Sequence, residues 1–202
     1  MIRAPWLRAL LLVPVLLASG LAQAFDLDQL AQRLAAPVVV RGPFVQEKHL
    51  RALPQPLTST GQFTLAREGG LLWRLEKPLR QDYRISDQGI ARRVDGRWQA
   101  QPGQDVAAQQ SRLFLAVLKG DRSGLERDFA LTLEGDSQHW TLHLAPRALL
   151  LQQIFSAIRI EGGALVERIE LVETQGDRTL LRLPASQAAD TLTADEAADL
   201  AR

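Results

Sequence analysis

His139 and His143 stand four residues apart, the spacing of two metal ligands on one helix face. Trp140-Thr141-Leu142 between them alternates as a strand, which puts both imidazoles on the face opposite Trp140, toward water. With no third ligand or acid cluster in the sequence nearby, zinc is not expected, and His49 is alone on a mixed strand. No serine lies in a Gly-x-Ser-x-Gly turn and no glycine-rich phosphate loop is present, so hydrolase and nucleotide-binding readings lack support. Asp82, Asp87 and Asp95 lie near turns, where short carboxylates cap backbone amides. Arg80, Arg84, Arg92, Arg93 and Arg97 are dense, with acids interleaved; they read as a solvated sheet face, or as a surface that meets acidic partners or lipid head groups. No catalytic set and no cofactor is expected.

These residues must be carried mostly by strands. Phe63 and Leu65 share one side of a run while Gln62 and Thr64 share the other. The period-two pattern recurs through Leu71, Trp73 and Leu75, through Tyr83 and Ile85, through Phe129 to Leu133, through Trp140 to Leu144, and through Leu165 to Leu171. Turn signals such as Glu68-Gly69-Gly70, Asp87-Gln88-Gly89, Asp95-Gly96 and Glu161-Gly162-Gly163 separate the runs. The gaps are too short for helical crossovers, so the sheet must be largely antiparallel. About ten strands in one sheet tend to curl. Either a barrel around a ligand cavity or a β-sandwich with mutually filled faces satisfies this alternation.

Helical signals are few. Asp26 to Ala36 has apolar residues at helical spacing, Asp26 as a cap and Pro37 as a stop; Asp105 to Lys119 reads likewise and ends at Gly120. Thr193-x-x-Glu196 is a capping box for a short last helix.

Arg67 shares the parity of Phe63 and Leu65, so on a regular strand its side chain leans inward, where a guanidinium needs carbonyl or carboxylate partners. If the strand ends before it, the same side chain reaches into water along its aliphatic stem.

The N-terminus has Arg3 and Arg8, an apolar stretch from Leu10 to Leu17, and Ala22-Gln23-Ala24, the order of a secretory signal with cleavage after Ala24. The apolar stretch is shorter than the roughly 20 residues a membrane span needs. We expect a leader over 1–24 and a single domain over 25–202. Taking Arg3 and Arg8 from 24 basic against 23 acidic side chains leaves a formal charge of −1, which argues against nucleic acid as a partner. Cysteine is absent, which excludes disulfides, a thiol active site and a lipid-bearing cysteine as a permanent membrane anchor. The expected location is the periplasm, as a monomer.

From Phe44 onward the sequence resembles the periplasmic outer-membrane lipoprotein carriers of LolA type. The resemblance is carried by Phe44-x-Gln46-x-Lys48, Gly61-x-Phe63-x-Leu65-x-Arg67, Trp73-Arg74-x-Glu76-x-Pro78 and Ser86-Asp87-x-Gly89, followed by Trp140 to Pro146 and Ile158 to Leu171. It implies a mainly β fold: an unclosed antiparallel barrel under a helical lid, around an apolar cavity that receives acyl chains. Phe63, Leu65, Trp73, Leu75, Tyr83 and Trp140 would line that cavity, and Arg67 would latch barrel to lid and control release. The implied cargo is an acylated lipoprotein or other lipid, taken from an inner-membrane donor and given to an outer-membrane acceptor. A lipid-sensing regulatory module on the same scaffold is the alternative. The sequence departs from the family at Glu68-Gly69-Gly70, where the carriers usually have proline after the arginine, and around Asp105 to Lys119 and Leu149 to Phe155.

Overall fold

A computed structural model describes residues 25–101 and 106–201, with side chains undescribed in the helical stretch 106–112. The leader expected over 1–24, and Asp105 at the start of the second expected helix, lie outside the described residues.

In chain order the elements are α1 (Leu27–Ala35), β1 (Val39–His49), β2 (Leu57–Ala66), β3 (Gly70–Lys77), β4 (Gln81–Ser86), β5 (Gly89–Val94), β6 (Arg97–Ala100), α2 (Val106–Lys119), α3 (Arg122–Asp128), β7 (Phe129–Gly135), β8 (Trp140–Pro146), α4 (Leu149–Ile154), β9 (Phe155–Gly162), β10 (Val166–Glu173), β11 (Arg178–Arg182), β12 (Gln187–Ala189) and α5 (Ala194–Leu200). All strands form one sheet in the order β6-β5-β4-β3-β2-β1-β11-β10-β9-β8-β7, with β12 paired to the start of β1. Every pairing is antiparallel, and β6 and β7 end the sheet without joining. The unclosed antiparallel sheet expected from the turn spacing is thus present, and its apolar face wraps α1, α2 and α3.

The alternation decides which face is inside. Phe63 and Leu65 on β2, Leu71 and Trp73 on β3, Trp140, Leu142 and Leu144 on β8, and Ile158 and Ile160 on β9 are buried in one core with Leu30 and Leu34 of α1. A bulge between Val166 and Arg168 resets the parity of β10, so that Val166, Ile169 and Leu171 all face inward. Two glycines make room for rings. A Cβ on Gly61 would lie 2.8 Å from the ring of Phe44, and one on Gly162 would lie 2.7 Å from Trp140.

The expected Thr193–Glu196 capping box opens α5, and Asp26, expected as a cap, opens α1 in a full capping box with Gln29. Helices α3 and α4 were not foreseen. They have seven and six residues: α3 holds a single large apolar side chain, Leu125, and α4 opens on three leucines in a row, so neither shows a helical period.

Candidate functional site: an apolar interior filled by helices

Trp73 is the centre of the interior. Its ring stacks on Phe44 of β1, with centroids 3.8 Å apart and planes at 20°, and lies 6.4 Å from Phe63 of β2. From the opposite side Phe114 of α2 comes to 6.2 Å. Leu113, Leu115, Val117 and Leu118 of the same helix are buried too, so α2 fills the space the sheet encloses. Among the described residues, small voids of about 20 Å³, between α1, α3 and Trp140, and about 10 Å³, between Leu34, Phe63, Leu65 and Leu118, lie beside it. Spaces of that size hold at most one water. On the Phe63–Trp73 side the described residues are therefore packed, because α2 supplies the apolar side chains that a ligand would otherwise provide, while a cleft of about 350 Å³ beside α2 reaches Leu113, Leu115, Leu125, Phe129, Leu151 and Phe155 of the same core.

Phe63, Leu65 and Trp73 form the wall behind α2. Trp140 is buried in the other half, under α1 and α3, with its indole N–H donating to the Gly163 carbonyl at 2.8 Å. Leu75 and Tyr83 are half-buried and pack on the margin of the core. The sequence reading did not single out Phe114, since its helix was recognised from Val106, Leu113, Val117 and Leu118; nor did it propose Phe44 as lining.

Arg67 sits elsewhere than its parity implied. Pairing of β2 with β3 ends at Ala66 opposite Gly70, and Arg67 lies in the turn between them, exposed. Its backbone N–H donates to the Val38 carbonyl, and among the described residues its guanidinium has no hydrogen bond to a helix. The strand ends before the parity argument applies, and Glu68-Gly69-Gly70 completes the turn.

Other cations tie the helices to the sheet and to one another. Arg33 of α1 donates to the carbonyls of Ser137 and Gly163. Arg122 of α3 bonds Glu126 and Asp28, both of which hold its guanidinium more firmly protonated. Lys119, at the end of α2, faces Asp87 in the β4–β5 turn at 3.8 Å. This pair spans a cleft of about 350 Å³ bounded by Ser86 to Gly89, Leu115, Lys119, Leu151 and Phe155. Asp87 is nearly fully exposed, so the pair offers little resistance to movement of α2. His143 faces outward beside Glu134, and His139 lies in an exposed turn capped by Asp136.

The outer face of β1 to β5 is not a bare solvated surface. Helix α5 lies across it. Glu196 accepts from Arg41 on β1 at 2.8 and 3.0 Å and from the Thr64 hydroxyl on β2 at 2.8 Å. Asp199 accepts from Arg74 on β3 and from Arg93 on β5, while Arg84 on β4 donates to the carbonyls of Asp199 and Ala201. Arg84 and Arg93 also lie over the Trp98 ring. Beneath α5, Leu200 packs on Ala66 and Leu72. Burial opposes ionisation of Glu196, but the Thr193 N–H, the Thr64 hydroxyl and Arg41 outweigh it and hold the carboxyl below its usual range. The solvated-face reading is corrected for Arg84 and Arg93: their partners lie more than 100 residues later in the chain.

Comparison with known proteins places similar sequences in one group. The pattern of the family described as "Outer membrane lipoprotein carrier protein LolA-like" matches residues 19–202. An outer-membrane lipoprotein carrier protein of Ralstonia nicotianae is 31% identical over 194 residues, covering 89% of this chain and 85% of that one. Among solved structures, the Pseudomonas aeruginosa MucA/MucB complex aligns at 21% identity and TM-score 0.48, over 87% of this chain; the alignment spans only 59% of that longer chain. A LolA superfamily protein from Nitrosomonas europaea aligns at 8% identity and TM-score 0.49, over 84% and 96% of the two chains.

Proposed function

We propose, from the premise that this chain belongs to the LolA-like family of outer membrane lipoprotein carrier proteins, that it is a periplasmic carrier which shields the acyl chains of a lipoprotein or another lipidated cargo and delivers them toward the outer membrane. In this reading residues 1–24 are the leader removed on export. The observation that supports it most is the aromatic wall of Phe44, Phe63 and Trp73, covered by a helix whose ion pair to the sheet rim, among the described residues, is made to the exposed Asp87.

The physics is an exchange. Acyl chains entering the interior gain about 0.8 kcal/mol per buried methylene, but they must displace Phe114, Leu118 and their neighbours from the same wall. Only the difference appears as affinity, which suits a carrier that must also let go. No bond is made or broken, and the role is binding, not catalysis.

Native mass spectrometry of the protein taken directly from periplasm tests both parts at once. The expected mass is that of a chain starting at Phe25, with non-covalently held acyl species on part of the population. Protein recovered only with its leader, or free of any acylated ligand even after lipidated cargo is supplied, would overturn the proposal.

For Arg67, the exposed turn position supports the plain reading over the latch. Arg67→Leu is expected to load the same lipidated cargo and transfer it to acceptor membranes at the parent's rate. Unchanged loading with delivery slowed about tenfold or more would restore the latch, since a charge-assisted bond is worth roughly 1.5–3 kcal/mol.

A further inference from the structure

The exposed large apolar side chains of the described residues are unevenly distributed. Apart from Val38, they are Leu53 and Leu57 in and beside the β1–β2 loop, Leu79 in the β3–β4 turn, and Leu149 and Leu150 on α4 between β8 and β9. All of these segments lie at the same end of the strands. In the sheet order their strands run β4-β3-β2-β1-β11-β10-β9-β8, so the turns are successive neighbours along one rim. Hydrogen bonds join them: Arg51 in the β1–β2 loop bonds Asp177 and Gln175 of the β10–β11 turn, and Thr174 of that turn bonds the carbonyls of Gln153 and Ile154 at the end of α4.

Charge follows the same division. Exposed on this end are Arg51, Lys77, Arg80, Arg97, Arg127 and Arg147, against the exposed acids Glu76 and Asp95. Asp177 is taken up by the backbone of Arg51, and Asp128 is near Arg127. The turns at the opposite end carry Glu68 beside Arg67, Asp87, and Asp136. One end is thus leucine-tipped and basic, while the other mixes both signs, with Lys119 on Asp87 and Arg33 on the carbonyls of Ser137 and Gly163.

We infer that the leucine-tipped rim docks reversibly on an anionic phospholipid surface. The leucines sit singly or in pairs on separate turns with cations between them. A soft interfacial layer accepts such scattered points, whereas a protein partner would need a matching concavity for each. The leucines enter the interfacial zone, and the arginines and Lys77 meet lipid phosphates. Leu151, next to the docking leucines on α4, turns inward and lines the 350 Å³ cleft. Docking therefore brings the α4 side of the cleft, away from its β4–β5 wall, toward the bilayer. Its use in cargo transfer rests on the carrier reading; docking itself does not.

The test is sedimentation of the unloaded chain from Phe25 with vesicles of phosphatidylcholine alone and with phosphatidylglycerol mixed in, at low and high salt. The parent is expected to partition onto the anionic vesicles only, and less as salt rises. Replacing Leu149 and Leu150 together by Ser should weaken partition about tenfold or more, and Arg80→Gln or Arg147→Gln about fivefold each. Glu68→Gln on the far rim should not weaken it. Binding of a soluble fluorescent fatty acid by the same variants should be unchanged, which separates this result from failure of the carrier reading. Equal partition onto neutral and anionic vesicles, or parent-like partition of the leucine variants, would overturn the inference. So would leucine substitutions that abolish capture of a protein partner while leaving lipid partition intact.

Discussion

Phe114→Ala is expected to do two things that normally oppose each other: weaken the fold and strengthen acyl binding. Phe114 is buried and stands over Trp73, so its truncation removes the main aromatic contact between α2 and the β1–β3 wall. Truncating a buried phenylalanine costs about 3–5 kcal/mol, seen as a lower midpoint in urea unfolding. Acyl chains compete with Phe114 for the face of Trp73, and whatever α2 loses no longer has to be overcome on loading. If only about 1.4 kcal/mol of that loss falls on the docking of α2, affinity for a fluorescent fatty acid rises about tenfold.

A control separates this from general loosening. Leu171→Ala on β10 removes a buried side chain from the sheet wall, where it belongs to the container and not to the plug. It should destabilise by about 2–5 kcal/mol and leave affinity equal or lower. If Phe114→Ala binds acyl chains no better than the parent while losing the expected stability, α2 is fixed core, and cargo must use another route.

The antiparallel, curled sheet was readable because its cause is local: period-two alternation and short turns act over a few residues. The inward set Phe63, Leu65, Trp73 and Trp140 was readable for the same reason. Parity misled where its premise failed. Arg67 follows Leu65 by two residues, but pairing stops at Ala66, and nothing in the spacing of Arg67-Glu68-Gly69-Gly70 says on which side of the arginine the strand ends. Phe114 was invisible as a plug because an amphipathic helix announces that it packs, not what it packs upon. Arg84 and Arg93 looked solvated because their partners, the carbonyls of Asp199 and Ala201 and the Asp199 carboxylate, are at the last helix, and a bond across so much chain leaves no local trace. Leu72 could have given a hint. It is apolar on the polar face of β3, and it is wholly buried because α5 covers that face.

Acid is expected to unfasten that last helix, and Glu196 is the group that senses it. The carboxylate is buried, caps its own helix through the Thr193 N–H, and holds two strands through Arg41 and Thr64. Its folded pKa lies below the 4.5 of an ordinary glutamate. A depressed folded pKa means that the unfolded chain takes up the proton first. The stabilisation is therefore complete above about pH 4.5 and drains away as pH falls through the folded value. Glu196→Gln keeps the shape and loses the charge. It should cost about 1 kcal/mol at neutral pH, because Arg41 is partly exposed and water screens the pair. The cost should shrink on acidification until the variant and parent unfold together. Asp199, held by Arg74 and Arg93 on the same face, remains in both proteins and cancels from the comparison. The measurement is the difference in urea unfolding free energy between the two, taken from pH 7 down to pH 3. A difference that stays constant over that range would mean that Glu196 contributes only packing and helix capping. The five-strand arginine face would then be held through Asp199 and the Leu200 contact with Leu72.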